Sequence, residues 1–137
     1  MIKAILDTKV VVSGLLSPEG STALVLSLSA SRVFRCYVSE EILREYDEVL
    51  RRRRFGLEER QTARLMKMFR TTAGFVLPRK RLNVTTDPDD NIFLECALEA
   101  RADYVVTGNL RHFPPRFQDI RIVGPRQFLT ILAADPH

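Results

Sequence analysis

The sequence is short of the residues that build thiolate or disulfide frameworks. Cys36 and Cys96 are the only cysteines, and neither sits at metal-type spacing to any partner. That excludes a zinc ribbon and a disulfide scaffold, and leaves two buried thiols in a reducing cytoplasm as the expectation. No apolar run approaches the ~20 residues of a membrane span. The N-terminus lacks a basic region followed by an apolar stretch and a small-residue cleavage site, so no signal peptide is expected. Repeats, linkers and low-complexity segments are also missing. The 137 residues therefore read as one domain, 1–137, long enough to bury a core.

What is present fits a globular chain: 45% hydrophobic and 28% charged residues. Basic side chains number 21 against 17 acidic ones, a net charge of +4. The resulting pI near 9.4 suits a polyanionic partner as well as plain solubility.

Ile2-Lys3-Ala4-Ile5-Leu6 is a branched apolar run that stops at Asp7. It reads as a strand buried on both faces, as in a parallel sheet. Further strands are expected at Arg35–Val38, Phe75–Leu77, Asp103–Val106 and Ile120–Val123. Helical patterns lie between them: Ser21 to Ala30, Ser39 to about Arg52, Leu57 to Thr71, Asp87 to about Arg101 and Pro125 to Ala133. Ser39 is placed to cap its helix, with Glu40 and Glu41 in the first turn. Alternating strands and helices predict right-handed crossovers and an α/β fold with a parallel sheet.

In such a sheet, helix N-termini share an edge with the strands' C-terminal ends, where ligands bind. That brings Asp7, the first half of the 39–52 helix, the Asp87–Asp90 cluster and Asn109 to one edge. On the 39–52 helix, Glu45 and Asp47 flank the apolar stripe from opposite sides, and geometry does not choose between them. Asp87 and Asp89 suit helix capping around Pro88. Asp90 shares the buried-looking row of Phe93 and Ala97. Carboxylates gathered at one edge repel unless a cation sits among them. With no His/Cys set available, a hard ion with oxygen ligands is indicated, Mg²⁺ or Mn²⁺.

Four stretches carry a family resemblance: Leu6-Asp7-Thr8-Lys9-Val10; Ser39-Glu40-Glu41-Ile42-Leu43-Arg44-Glu45-Tyr46; Asp87-Pro88-Asp89-Asp90-Asn91 with Phe93-Leu94-Glu95; and Ala102-Asp103-Tyr104-Val105-Val106-Thr107-Gly108-Asn109. Together, and in this order, they resemble PIN-domain proteins of the branch described as toxin components of toxin–antitoxin pairs. The resemblance implies a three-layer α/β/α fold with a five-stranded parallel sheet. It implies Mg²⁺- or Mn²⁺-dependent cleavage of single-stranded RNA, an antitoxin partner and a homodimer. By position the catalytic and metal-holding acids are Asp7, Glu45 and Asp90, which takes Glu45 over Asp47. Asn109, Thr107, Lys9 and Asp87 stand beside them as accessory positions.

This chain departs from the family pattern twice. Lys9 stands where Asn usually follows Asp-Thr, and from Asn109 to Phe117 there is no acid, only Asn109 and His112. Read as extended backbone, Lys9 and Asp7 point to one side, so the ammonium either reaches the carboxylates or is carried by its stem to solvent or to a substrate phosphate. The alternative function is thus a catalytically weak or silent PIN-like module that binds RNA or a partner. A haloacid-dehalogenase-type phosphatase ranks lower, because Lys9 occupies the place of its second Asp. The run Arg51-Arg52-Arg53-Arg54 is expected to hold RNA phosphates, with a solvated helix end as the plain alternative. Phe55 beside it is either a base-stacking platform or an anchor in the core.

Overall fold

The computed structural model describes residues 1–136. In chain order it contains β1 (Lys3–Leu6), α1 (Thr8–Leu16), α2 (Ser21–Ala30), β2 (Arg35–Val38), α3 (Glu40–Leu50), α4 (Glu59–Thr72), β3 (Gly74–Phe75), α5 (Pro88–Ala100), β4 (Tyr104–Val106), β5 (Arg116–Phe117), β6 (Ile120–Val123) and α6 (Pro125–Ala134). The sheet order is β3-β2-β1-β4-β6-β5. Five of these strands are parallel, as expected. β5 adds a short antiparallel edge on β6. Its two residues are too few to leave a pattern in the sequence. Helices pack on this sheet in a three-layer α/β/α arrangement, with α5 against β1, β2 and β4.

The central place of β1 explains its composition. It lies between β2 and β4, so Ala4, Ile5 and Leu6 are fully buried. α1 was not apparent from its residues, since Val10, Val11 and Val12 are poor helix formers. Burial of all three valines outweighs their propensity. α1 and α2 meet at a bend of 104°. Gly14 permits that crossing: a Cβ there would run into Leu26 and lie 3.2 Å from the Thr22 carbonyl oxygen. No single helix among the described residues is long and apolar enough to cross a membrane.

The caps form as their residue types require. Ser39 Oγ accepts from the Ile42 amide at 3.2 Å, and Asp87 Oδ1 accepts from the Asp89 amide at 3.0 Å with Pro88 at the first helical position. α4 begins at Glu59, two residues later than the pattern suggests, because Gly56 takes a left-handed turn at φ 61.

β3 is shorter than expected and begins earlier. The Val76 amide still bonds to the Val38 carbonyl at 3.0 Å, but Pro78 has no amide to continue the ladder. The chain instead becomes a strap along α5. Glu99 Oε1 accepts from the Arg79 amide at 3.1 Å, Glu95 Oε2 from the Leu82 amide at 2.9 Å, and Asn91 Oδ1 from the Val84 and Thr85 amides at 3.0 and 2.9 Å. Residues 91, 95 and 99 are spaced i, i+4, i+8, so one helix face satisfies the strap's backbone. Glu95 and Asn91 are buried for this reason. Cys36 and Cys96 are both free and buried, and burial pushes the Cys36 thiol up to about 12.

Candidate acidic active site

Asp7 stands at the C-terminal end of β1, directly before α1, and is 4% exposed; its side chain makes no capping bond to the helix. Thr107 Oγ1, just past β4, donates to Asp7 Oδ2 at 2.6 Å. Burial raises the Asp7 carboxyl above the usual range, against the Thr107 hydroxyl, the Lys9 and Thr8 amides and the Lys9 charge, which favour its ionised form. Thr8 Oγ1 donates to Glu45 Oε2 at 3.1 Å, and Tyr46 Oη donates to the Leu6 carbonyl. These two contacts lock α3 onto the end of β1 and turn Glu45 toward Asp7. Asp47, equal to Glu45 by periodicity, instead pairs with Arg51 at 3.1 Å. Burial also raises Glu45, opposed by Thr8 and reinforced by the charge of Asp89.

Asp90 lies in the first turn of α5, its side chain 14% exposed. Its pKa is raised by burial and then by the charges of Asp7 and Asp87, with His112 pulling the other way. Asp90 Oδ2 is shielded from solvent and has no hydrogen-bond partner. His112 Nδ1 approaches it to 3.2 Å, within ionic reach but without hydrogen-bond alignment. The Asn109 amide nitrogen of the backbone donates to Thr107 Oγ1 at 3.0 Å, and Asn109 Nδ2 meets His112 Nε2 at 3.0 Å.

Several of these residues line a cleft of about 560 Å³, with Thr107 and Asn109 outside its lining. Asp7, Glu45, Asp87, Asp89 and Asp90 face it, together with Lys9, Arg52, Arg54, Phe55 and His112. Asp7, Glu45 and Asp90 thus line one cleft. So does Asp87, although its carboxylate is occupied with capping. Lys9 lines the lip, is exposed, and forms no ion pair among the described residues. The extended relation to Asp7 does not hold, because Lys9 already lies in the first turn of α1. The arginine run divides. Arg52 and Arg54 line the cleft, whereas Arg51 is drawn away by Asp47 and Glu59, and Arg53 lies outside the lining. Phe55 is half-buried against the core, with the Arg54 guanidinium 4.9 Å from its ring centre.

Two residues of the cleft, Thr8 and Asp89, have no place in the site on sequence grounds, and a third, His112, reads there as a surface loop residue sooner than as a metal ligand. Thr8 orients Glu45, Asp89 adds negative charge beside it, and His112 reaches Asp90. Thr8 had a signal in its place directly after Asp7. The contact of His112 with Asp90, residues in separate elements, had none.

An all-oxygen donor set suits a hard divalent ion. The solvent-shielded, unpartnered Asp90 Oδ2 and the mutual repulsion of Asp7 and Asp90 fit a cation between them. Among the described residues no three His, Cys, Asp or Glu side chains converge closely enough to hold an ion as they stand. Binding one requires the side chains to turn inward.

Comparison with known proteins bears on the fold and the family. The chain is 29% identical over 111 residues to the uncharacterized protein MJ1680 of Methanocaldococcus jannaschii, covering 79% of this chain and 71% of that one. It is similar in fold to a chain in the crystal structure of VapBC2 from Rickettsia felis bound to a DNA fragment from their promoter. That match has TM-score 0.57 and 16% identity, over 90% of this chain and 98% of the other. The family model of the PIN domain matches residues 3–111, a span that holds Asp7, Glu45, Asp90 and Asn109. The chain belongs to the PIN-domain family.

Proposed function

We propose that the protein is a metal-dependent endoribonuclease acting on single-stranded RNA, and the toxin of a toxin–antitoxin pair. The observation that carries this reading is the shared cleft of Asp7, Glu45 and Asp90, flanked by Arg52 and Arg54. Asp7 and Asp90, with Glu45, would hold Mg²⁺ or Mn²⁺, which when bound supplies a nucleophilic water and charge stabilisation at phosphorus. The chain's own groups do the rest. Thr107 and Thr8 hold Asp7 and Glu45 in place through hydroxyl hydrogen bonds. Arg52 and Arg54 bind backbone phosphates along the cleft, and Phe55, also in its lining, offers its ring to an unstacked base. Membership of the PIN family supports the nuclease reading, and the VapBC2 likeness supports an antitoxin partner.

The test is incubation of the purified protein with unstructured and hairpin RNA, with Mn²⁺ and with chelator. Cleavage of the unstructured RNA alone, lost with chelator, is the expected result. Lys9 on the lip and Asn109 in place of an acid favour a second reading, an RNA- or partner-binding module without catalysis. RNA bound but left intact at saturating Mn²⁺ would select it.

The split of the arginine run leads to a sharper expectation. Arg52→Gln with Arg54→Gln should weaken RNA binding about equally for all sequences and reduce the salt slope by roughly one to two. Arg51→Gln with Arg53→Gln should leave that slope nearly unchanged. Filter binding across a salt series measures both. Equal effects from the two pairs would mean that position along the cleft does not matter.

A further inference from the structure

Among the described residues, His112 brings an imidazole to the acidic cleft. It stands in the short turn Leu110–His112 that follows β4, in a segment with no carboxylate from Asn109 to Phe117. Its two ring nitrogens face different partners. Nδ1 lies 3.2 Å from Asp90 Oδ2, the carboxylate oxygen that has no hydrogen bond. Nε2 lies 3.0 Å from the side-chain amide of Asn109. Asn109 is held through its backbone amide by Thr107 Oγ1, and the same hydroxyl donates to Asp7 Oδ2. A continuous line of contacts therefore joins Asp7 to Asp90 by way of Thr107, Asn109 and His112.

Imidazoles that ligate a metal through one nitrogen ordinarily give the other N–H to an oxygen acceptor, which sets the tautomer and the ring angle. Asn109 can serve as that acceptor. A half-turn of its amide brings Oδ1 to Nε2 in place of Nδ2, and the two groups are nearly the same size. The ring proton then resides on Nε2, and the Nδ1 lone pair is free beside Asp90 Oδ2.

We propose that His112 Nδ1 and Asp90 Oδ2 form a mixed nitrogen–oxygen cation subsite, steered by Asn109, in the place where this chain lacks an acid. It rests on the metal-dependent reading above. A neutral nitrogen donor in place of a carboxylate lowers the negative charge offered to Mg²⁺. It also adds a ligand that first-row transition ions accept more readily than Mg²⁺ does. The cleft is thereby biased toward Mn²⁺ or Co²⁺ over Mg²⁺.

Calorimetric titrations with Mn²⁺ and Mg²⁺ test this on the wild type, His112→Ala, His112→Asp and Asp7→Asn. Electron spin-echo spectra of the Mn²⁺-loaded proteins are recorded alongside. His112 is exposed at the surface, so its replacement leaves the core alone. The wild-type spectrum should carry nitrogen modulation that vanishes in His112→Ala. Mn²⁺ affinity of His112→Ala should fall about tenfold to a hundredfold, with a smaller change for Mg²⁺. His112→Asp should narrow the preference for Mn²⁺ over Mg²⁺. Saturable Mn²⁺ binding that Asp7→Asn abolishes but His112→Ala leaves untouched, without nitrogen modulation, overturns the subsite and spares the proposed function. A wild type that binds no Mn²⁺ overturns both.

Discussion

Asp7→Asn is expected to abolish Mn²⁺-dependent cleavage and, in metal-free buffer, to raise the melting temperature. The activity loss should be roughly 10²-fold or more, the scale on which groups acting at the reacting centre contribute. The stability gain has a separate origin. Asp7 is 4% exposed, and its charge raises the pKa of Asp90. Asn keeps an oxygen to accept the Thr107 hydroxyl, while removing the buried charge. Each kcal/mol so relieved is worth about 2–4 °C in a domain of this size.

A pH dependence accompanies it. Asp7, Glu45 and Asp90 all have folded pKa values above their ordinary ones. An acid so shifted binds its proton more tightly in the folded state. Its ionisation costs nothing below the unfolded value near pH ~4 and costs progressively more as pH rises through the folded value. Metal-free wild type should therefore lose stability on going from about pH 4 toward neutrality through these three groups. Asp7→Asn should flatten that fall. Thermal melts in chelator across the range measure it. A melting temperature that drops at every pH on Asp7→Asn would mean that the carboxylate is a structural anchor and not part of a strained acidic site.

The second large effect is expected far from the chemistry. Asn91→Ala removes the single oxygen that accepts from the Val84 amide, the Thr85 amide and the Thr85 hydroxyl. Asn91 is 4% exposed and Thr85 8%, so water does not simply take its place. Val84 is exposed and the Thr85 hydroxyl keeps its bond to the Asp87 carbonyl at 2.6 Å, so the buried donor left stranded is the Thr85 amide, at a cost of about 1–3 kcal/mol. That is a large part of the ~5–15 kcal/mol that holds a domain together. The strap's other ties, through Glu95 and Glu99, remain. The loss should therefore be local, with faster amide exchange concentrated in residues 82–87. The same segment leads directly into the Asp87 cap and Asp90, so cleavage should fall while the far end of the sheet stays protected. Uniformly faster exchange across the chain would show that the strap is part of the global folding unit.

Much of this architecture is written locally. The apolar run that ends at Asp7, the Ser39 and Asp87–Pro88 caps and the alternation of strands with helices follow from neighbours within a few residues. Burial preference and capping chemistry act at that range, which is why five parallel strands and five of the six helices were legible. The sixth, α1, was not, because its valines prefer strands and only burial against the rest of the fold makes them helical. The family resemblance of four stretches in order then singled out Asp7, Glu45 and Asp90.

Tertiary contacts decided what periodicity left open. Glu45 and Asp47 flank one stripe alike, and they differ because Thr8, 37 positions away, donates to the first while Arg51 takes the second. Four arginines in a row look identical on paper, yet only Arg52 and Arg54 reach the cleft. Glu95 and Asn91 read as ordinary polar positions of a helix until the strap lies down on them. His112 meets Asp90 only because β4 delivers its following turn to the head of α5. Each of these outcomes depends on a hydrogen bond or ion pair between groups that a short window of sequence does not hold together. Their energies arise from distance and burial in the folded chain, and neither exists before it folds.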